Sequence, residues 1–227
     1  MVSIDDFLPL GVDYPGIDIN VELMILQEYL HHIPGAVSFL SDQYLLREIR
    51  KLDEAPLDDN AYLEVIAKDE MPKLIRLPLC VSIYAMFEYS IKRLLDFAAT
   101  RENCELFFAD INGRDLFDKT SKYMSRVLGY DFSFDQHSMR QIKGLATLRN
   151  HLAHGTGDLS VLPKKRKEKI LELARNDSSL HVDSYTLDVS YEYLQNIAAV
   201  VSAQIRSLME YMELRYGRAQ QGTPFPQ

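Results

Sequence analysis

The C-terminal third of the chain carries the strongest constraint on the fold, a long apolar seam with helical spacing. Between Ser190 and about Tyr216, apolar residues recur at alternating steps of four and three; they are Leu194, Ala198, Val201, Ile205, Leu208 and Met212. This is the a/d pattern of a helix that packs lengthwise on another helix. Because such a seam must be covered by other helices, it favours an all-α bundle with one long C-terminal helix.

Further helices are predicted along the rest of the chain. Leu79–Ala98 places apolar residues at three- and four-residue steps, as a core helix does. The other predicted helices are Asn20–His32 and Gly35–Leu52, parted by Pro34 and Gly35, followed by Ala61–Lys68, Asp115–Leu128, Phe134–Leu152 and Lys164–Arg175. One short strand or hairpin is expected at His181–Val189.

The chain is expected to form one domain. Its 227 residues, 47% of them apolar, suffice for one good-sized core. Prolines and glycines make residues 1–19 an irregular N-terminal segment, and residues 20–216 are predicted as a single helical domain. Residues 217–227 contain two prolines and little to bury, so a flexible tail is expected there.

Composition and spacing exclude several functional classes. Two cysteines cannot build a disulfide framework or a four-thiolate zinc site, so a cytoplasmic protein is expected. We find neither a signal peptide nor about 18 unbroken apolar residues, and therefore expect no membrane association. No metal-ligand spacing or glycine-rich phosphate loop occurs, so no metal and no cofactor are expected. A Cys-His nucleophile built on Cys80 or Cys104 has no evident activating context.

The charge distribution is uneven. The chain carries a net charge of −8, which by itself disfavours a nucleic-acid-binding protein. The segment Arg140–Asn176, however, contains nine basic and three acidic residues, whereas the rest of the chain contains 16 basic and 30 acidic residues. This asymmetry indicates an anionic partner, although a basic run beside a helix is also typical of a solvated face.

A polar cluster ends the helix predicted at Phe134–Leu152. Its apolar row through Ile142 and Leu145 continues onto Arg149, where another apolar side chain would be expected. Asn150 follows, then His151 and His154, and glycines stand at 155 and 157. A charged residue on an inward row needs a partner or a cavity, and the glycines indicate a helix that ends and turns.

The segment 148–155, with the sequence Leu-Arg-Asn-His-Leu-Ala-His-Gly, resembles the signature of the HEPN superfamily. That signature is an arginine, a polar residue that is commonly Asn, and a histidine after four to six intervening positions. The setting is similar too, because an upstream helix around Tyr84–Tyr89 carries the acidic Glu88 and a long helix follows the motif. The chain most resembles the MAE-like and RiboL-PSP-associated branch, over roughly Asn20–Tyr216.

The resemblance implies a metal-independent endoribonuclease, or a degenerate relative of one. Its catalytic residues would be Arg149, Asn150 and His154, with Glu88 in support. Such proteins are typically homodimers with two motifs facing one cleft, and many act in toxin-antitoxin or antiviral systems. RNA would then be the substrate, and an antitoxin or a neighbouring defence protein a further partner. Thr156 stands where some of these toxins carry a tyrosine that accepts adenylyl groups, so this form of silencing would need another tyrosine nearby, and the candidates are Tyr123, Tyr130, Tyr185 and Tyr191.

The chemistry of these residues agrees with RNA cleavage. RNA supplies its own nucleophile, the 2′-hydroxyl, so His154 needs only to exchange protons while Arg149 binds phosphate oxygens. The expected products carry a 2′,3′-cyclic phosphate and a 5′-hydroxyl. In an unbroken helix Arg149 and His154 diverge by about 140°. We therefore expect the helix to end near His154, or a dimer to bring one subunit's arginine to the other's histidine.

The basic helix is predicted to form the rim that binds the RNA backbone. The RNA-binding residues expected there are Lys164, Lys165, Arg166 and Lys167.

Each of these residues also has a structural interpretation. Arg149 would pair with a carboxylate such as Glu88, which is either a buried partner or a surface acid. His154 would cap or pack the helix end, and His151, a position outside the motif, is expected to be structural. The alternative function is a catalytically silent helical module that dimerises and binds a partner or a nucleotide.

Overall fold

A computed structural model of the chain describes residues 10–11, 13–51, 58–153 and 157–220. It confirms the predicted all-α fold with one short hairpin. The elements in chain order are α1 (Gly16–Lys51), α2 (Asp58–Val65), a π-helical turn (Ile66–Glu70), α3 (Met71–Arg101), a 3-10 turn (Phe108–Asp110), α4 (Leu116–Arg126), α5 (Gln136–Leu152), α6 (Lys164–Asn176), β1 (Leu180–Asp183), β2 (Thr186–Val189) and α7 (Tyr191–Gln220).

The helix break predicted at Pro34 and Gly35 is wrong, because α1 runs through both residues. Proline has no backbone N–H, so Pro34 leaves the carbonyl of Leu30 without its usual partner one turn back. The side-chain amide of Gln195 on α7 donates a hydrogen bond to this carbonyl at 3.1 Å. The acceptor is therefore satisfied from outside the helix, and the helix continues. The irregular N-terminal segment is also shorter than predicted, since α1 begins at Gly16 rather than Asn20.

The short helix predicted at Ala61–Lys68 is not separate from the core helix. Backbone helix is continuous from α2 through the π-helical turn into α3. Within Ala61–Arg101, an 18-residue window has a mean hydropathy of 1.4 and meets the length and composition of a membrane span, with 39% of it buried in the protein. Core helices of soluble proteins meet the same two criteria, so one such helix is weak evidence for a membrane span.

The predictions for the second half of the chain hold within a few residues. Asp115 begins α4 by accepting a hydrogen bond from the Asp118 N–H at 2.8 Å, and Asp135 does the same for α5 through the Ser138 N–H at 2.7 Å. The hairpin pairs Leu180 with Val189 and Asp183 with Thr186. The tail predicted from residue 217 does not begin there, because α7 continues to Gln220; residues 221–227 lie outside the described part.

The chain folds into two compact units. The first comprises Met1–Met24, Ala85–Arg140 and Val200–Gln227. Its core includes fully buried side chains such as Ile91, Leu95, Tyr123 and Leu208. Tyr130 and Tyr216 share a buried hydrogen bond, and Tyr216 also donates to Glu102, which pairs with Arg215 at 2.9 Å.

The second unit comprises Ile25–Tyr84 and Gln141–Ala199, and it contains most of the predicted site. Its core includes buried side chains from α3, α5, α6, the hairpin and α7, among them Ile83, Ile142, Leu148, Ile170, Leu187 and Leu194. Arg76 on α3 binds both carboxylate oxygens of Asp188 on β2, at 3.2 and 2.6 Å. This bidentate pair fastens the hairpin to α3.

Candidate functional site

The site is built at the end of α5. Ile142, Leu145, Leu148 and Leu152 form the buried row of this helix, at three- and four-residue steps. The last described helical turn closes with a hydrogen bond from the Ala153 N–H to the Arg149 carbonyl at 2.9 Å. The chain is described again at Gly157, which has a positive φ of 87°.

Arg149 is half-buried and held on two sides. Its guanidinium carbon lies 5.7 Å from the ring centroid of Tyr84, a cation-π contact, and one terminal nitrogen donates to Oδ1 of Asn150 at 3.1 Å. Among the described residues its buried Nε has no hydrogen-bond partner and its guanidinium forms no ion pair. The predicted alternative of an Arg149 pair with a carboxylate is therefore absent from that part of the chain.

The hairpin fixes the chain just after the motif. The carbonyl of Gly157 accepts a hydrogen bond from the Leu187 N–H at 2.9 Å, and the Leu159 N–H donates to the Tyr185 carbonyl at 2.6 Å. Asp158 and Thr186 form an antiparallel bridge between these bonds. An isolated β-bridge and two backbone hydrogen bonds thus tie the segment that follows the motif to the hairpin.

A cavity of about 370 Å³ lies beside this helix end. The residues that line it come from α5, from α6 and from the loop between them; they are Thr147, Asn150, His151, Leu162, Arg166, Lys169 and Ile170. Two cationic residues and two nitrogen-bearing polar residues thus line one cavity, and no acidic residue of the described part of the chain lines it. Such a lining attracts anions.

His151 is the buried polar group of this cavity, with 8% of its surface exposed. Its imidazole makes a hydrogen bond to the backbone of Gly157, while its Nε2 is buried without a hydrogen-bond partner in the described part of the chain. Burial lowers the pKa of His151, against the opposing effects of the Gly157 contact and of Asp158. The imidazole is therefore neutral at pH 7, and its free nitrogen is an acceptor.

The basic residues of α6 take different positions. Arg166 lines the cavity, as does Lys169 one turn later. The Nζ of Lys167 lies 3.8 Å from the centroid of the Tyr185 ring, so this lysine is engaged by the hairpin. Lys164 is almost fully exposed and 4.0 Å from Glu168, and Lys165 is exposed as well.

Two of the predicted catalytic residues cannot be related to this geometry. His154 lies outside the described residues, together with Gly155 and Thr156. Glu88 is exposed on α3 and belongs to the first unit, whereas Arg149 and Asn150 belong to the second. The structure brings Asn150 and Arg166 to one cavity and places Arg149 directly against Asn150.

Other nucleophiles and metal ligands do not form a competing site. Burial raises the pKa of the Cys80 thiol to about 12, and burial together with Glu102 raises that of Cys104. Both thiols are thus protonated at neutral pH and are poor nucleophiles. Within the described ranges, no group of three or more His, Cys, Asp or Glu side chains is placed to hold a metal ion.

A second and larger cavity, of about 710 Å³, adjoins the same helix end on the side of α3. Leu152 and Ala153 line it from α5, and Leu74, Leu77, Pro78 and Val81 line it from α3. Its lining is mainly apolar, with one cation, Lys73, which already pairs with Glu70 at 2.8 Å. Among the residues that the structure describes, its lining therefore has no unpaired positive charge for a phosphate.

Sequence reasoning assigned His151 to a structural role and left Lys169 out of the RNA-binding set. Both line the cavity. The spacing of α6 contained part of this information. Arg166 and Lys169 lie on the same helix face as Ile170, and an apolar residue such as Ile170 is expected to point inward. The position of His151 could not be predicted, since it depends on how α6 packs against α5.

Comparison of the chain with protein-family models, with curated proteins and with solved structures gives no match. The resemblance to HEPN proteins therefore stays a prediction that rests on the residues of the motif.

Proposed function

We propose that the protein is a metal-independent endoribonuclease. It cleaves RNA by attack of a 2′-hydroxyl on the adjacent phosphate, which gives a 2′,3′-cyclic phosphate and a 5′-hydroxyl. Arg149 binds the phosphate oxygens and stabilises the charge of the pentacovalent phosphorane, Asn150 positions the guanidinium, and His154 exchanges the proton.

The cationic cavity beside the motif is the observation that carries this proposal. Asn150 and His151 at the end of α5 share it with Arg166 and Lys169 of α6. Arg149 donates a hydrogen bond to Oδ1 of Asn150, so it contacts a residue that lines the cavity. The cations that attract an anion thus line the same cavity as Asn150, a residue of the motif.

The contacts that restrain the Arg149 side chain suit a role in phosphate binding. Stacking on Tyr84 and the hydrogen bond to Asn150 restrict the orientation of the guanidinium plane. A fixed plane loses less side-chain freedom when phosphate oxygens bind, so it stabilises a developing charge more effectively than a mobile side chain. Since no carboxylate in the described part of the chain neutralises the guanidinium, its positive charge is available to the substrate.

The proposal includes the partners that the motif resemblance implies. The active form is a homodimer with two motifs at one cleft, and the enzyme works in the cytoplasm as a toxin or an antiviral effector. An antitoxin or a neighbouring defence protein would then keep it silent until it is needed.

An RNA cleavage assay in EDTA tests the activity. The purified chain is incubated with a mixture of structured and single-stranded RNAs, and the ends of the products are analysed. We expect cleavage without metal and 2′,3′-cyclic ends. Loss of a general acid-base group or of a group that stabilises the transition-state charge costs about 100-fold or more, so His154→Ala and Arg149→Ala should each lose the activity.

The matched control is His137→Ala, an exposed histidine at the start of the same helix. It should cleave at the wild-type rate. A folded wild-type protein that leaves all RNAs intact contradicts the proposal and selects the silent binding module. Cleavage that survives in His154→Ala contradicts the assigned catalytic residue.

A further inference from the structure

The hairpin strand β1 has an edge that no other strand covers in the described part of the chain. The segment 157–159 is bonded to one side of β2, and β1 pairs with the other side. On β2, the N–H of Leu187 donates to the Gly157 carbonyl, so this bond points away from β1. Backbone groups of an antiparallel strand point alternately to its two sides, so those of Thr186 and Asp188 point toward β1.

The register of the hairpin shows which backbone groups of β1 are unpaired. The partners of Thr186 and Asp188 are Asp183 and His181, respectively. His181 and Asp183 therefore direct their N–H and carbonyl groups toward β2. Val182 lies between them, so its N–H and carbonyl point to the open edge. Among the described residues, no backbone hydrogen bond from outside the hairpin reaches either group of Val182.

A further cavity, of about 370 Å³, lies along this edge. All four residues of β1 line it, and Leu171, Ala174 and Arg175 line it from α6. Helix α6 therefore stands beside the edge without covering it. An exposed strand edge with unpaired N–H and carbonyl groups is a template for another extended chain, and strand addition at such an edge is a common mode of peptide recognition.

We infer that β1 and α6 form a docking groove for an extended, acidic segment of a partner protein, which adds an antiparallel strand to the hairpin. The N–H and carbonyl of Val182 need a carbonyl and an N–H in return, and an extended main chain supplies both from one residue. The side chain of that residue lies on the same face of the sheet as Val182, so an apolar side chain there packs on Val182 and Leu171. The neighbouring side chains point to solvent.

The charge of α6 favours an acidic segment. Lys164–Asn176 contains six basic and two acidic residues, and Arg175 lines the groove itself. Within the described ranges, no carboxylate pairs with the Arg175 guanidinium. Asp183 is the acidic residue of the lining, and the surplus of positive charge on α6 outweighs it.

A second copy of this chain fits the groove less well than a single strand. Its β1 would arrive with its own α6 along the same edge, so two helices would flank strands that lie only about 4.8 Å apart. Packed helices need about 8–10 Å between their axes. Both copies of α6 would also carry the same surplus of positive charge. Size and charge thus favour a partner other than a second copy.

A synthetic peptide tests the groove. The probe is acetyl-Glu-Val-Glu-Val-Glu-Val-amide, titrated into the isotope-labelled full chain and followed by NMR. We expect the amide signals of His181, Val182 and Asp183 to shift. In the free chain the Val182 amide should exchange its hydrogen faster than the amides of His181 and Asp183, which bond to β2. At a peptide concentration of ten times its Kd, exchange at Val182 should slow about tenfold.

Two N-methylated forms of the probe separate strand pairing from other contacts. In antiparallel pairing the valines turn their N–H groups to β1, and the glutamates turn theirs away. Methylation of the valine nitrogens keeps every side chain and charge, and should weaken binding about threefold to tenfold for each hydrogen bond lost. Methylation of the glutamate nitrogens is the matched control and should leave the affinity nearly unchanged.

A pair of protein variants tests the charge preference. Arg175→Glu and Lys165→Glu change the charge of α6 equally, but Arg175 lines the groove and Lys165 does not. Arg175→Glu should therefore weaken binding of the probe more than Lys165→Glu does. A probe with lysine in place of glutamate should bind the wild type more weakly than the acidic probe.

Several results overturn the inference. They are unshifted β1 signals, equal loss of affinity in the two methylated probes, and a lysine probe that binds as well as the acidic one. Protection of the Val182 amide in the free chain that increases with protein concentration would place a second copy on the edge, and it overturns the inference as well. The test contains no RNA, so its outcome is independent of the proposed nuclease activity.

Discussion

Position 157, just after the motif, requires a glycine, because its backbone has a conformation that other residues rarely adopt. Its φ is 87°, and a Cβ at this position would lie 2.9 Å from the Leu187 carbonyl oxygen and 3.1 Å from a methyl of Leu77. Both the backbone strain and the approach of a backbone oxygen oppose a side chain here.

Gly157→Ala should therefore destabilise the protein by about 1–3 kcal/mol. The measurement is the free energy of unfolding in urea. Gly35→Ala is the matched control, because Gly35 lies inside α1 with no atom near its Cβ position. That substitution should stabilise by about 0.5–1 kcal/mol. Equal effects of the two substitutions would show that Gly157 imposes no special constraint.

At single positions, the sequence predicts which residues are chemically distinctive better than it predicts which residues they contact. Arg149 and Asn150 stand out because a charged residue follows an apolar row, and the structure places them in contact. Lys167 looks like its exposed neighbours in the sequence, yet it packs on Tyr185, nearly twenty residues away. Contacts of this kind depend on tertiary packing, which local spacing does not encode.

The same limit applies to helix boundaries. The sequence predicts the starts of α4, α5 and α6 well, because Asp115, Asp135 and Pro163 are residues that begin helices for local reasons. It fails at Pro34, where a side chain from another helix satisfies the orphaned carbonyl. A helix break is predicted from local sequence alone, and here a hydrogen bond from a residue distant in the sequence allows the helix to continue.

This account of α1 predicts a coupling between Gln195 and Pro34. Gln195→Leu removes the donor to the Leu30 carbonyl and should cost about 1 kcal/mol of unfolding free energy. In Pro34→Ala the helix regains its own N–H for that carbonyl, so Gln195→Leu should then cost almost nothing. The coupling is read from a double-mutant cycle in urea.

Asn196→Leu is the control for this cycle, since Asn196 is exposed beside Gln195 on the same helix. It should have the same effect with either residue at position 34. A cost of Gln195→Leu that is unchanged in the Pro34→Ala background would contradict the role assigned to the Gln195 amide.

On the scale of the whole molecule, α1 carries an apolar face with no described partner. Ile25, Tyr29, Phe39 and Leu46 recur at helical spacing, and each is 46–63% exposed. Exposed apolar residues on one helix face are typical of an interface, and a stable interface needs about 800 Å² on each partner. The face offers a surface for the homodimer in the proposal.

If α1 forms that interface, Phe39→Glu should dissociate the dimer, because the substitution buries a charge in an apolar contact. Sedimentation equilibrium at micromolar concentration should give twice the 26.1 kDa chain mass for the wild type and the single chain mass for the variant. Tyr62→Glu, on the exposed side of α2, should remain dimeric. A monomeric wild type would contradict the prediction.

The bond between the motif segment and the hairpin has a consequence for synthesis. Residues 157–159 are secured by residues 185–187, which a ribosome adds only after all of α6. Until the hairpin has left the exit tunnel, a nascent chain has no strand to which residues 157–159 can bond. If the proposed nuclease depends on this anchorage, the nascent chain would be inactive during translation, and premature termination before the hairpin would release an inactive fragment.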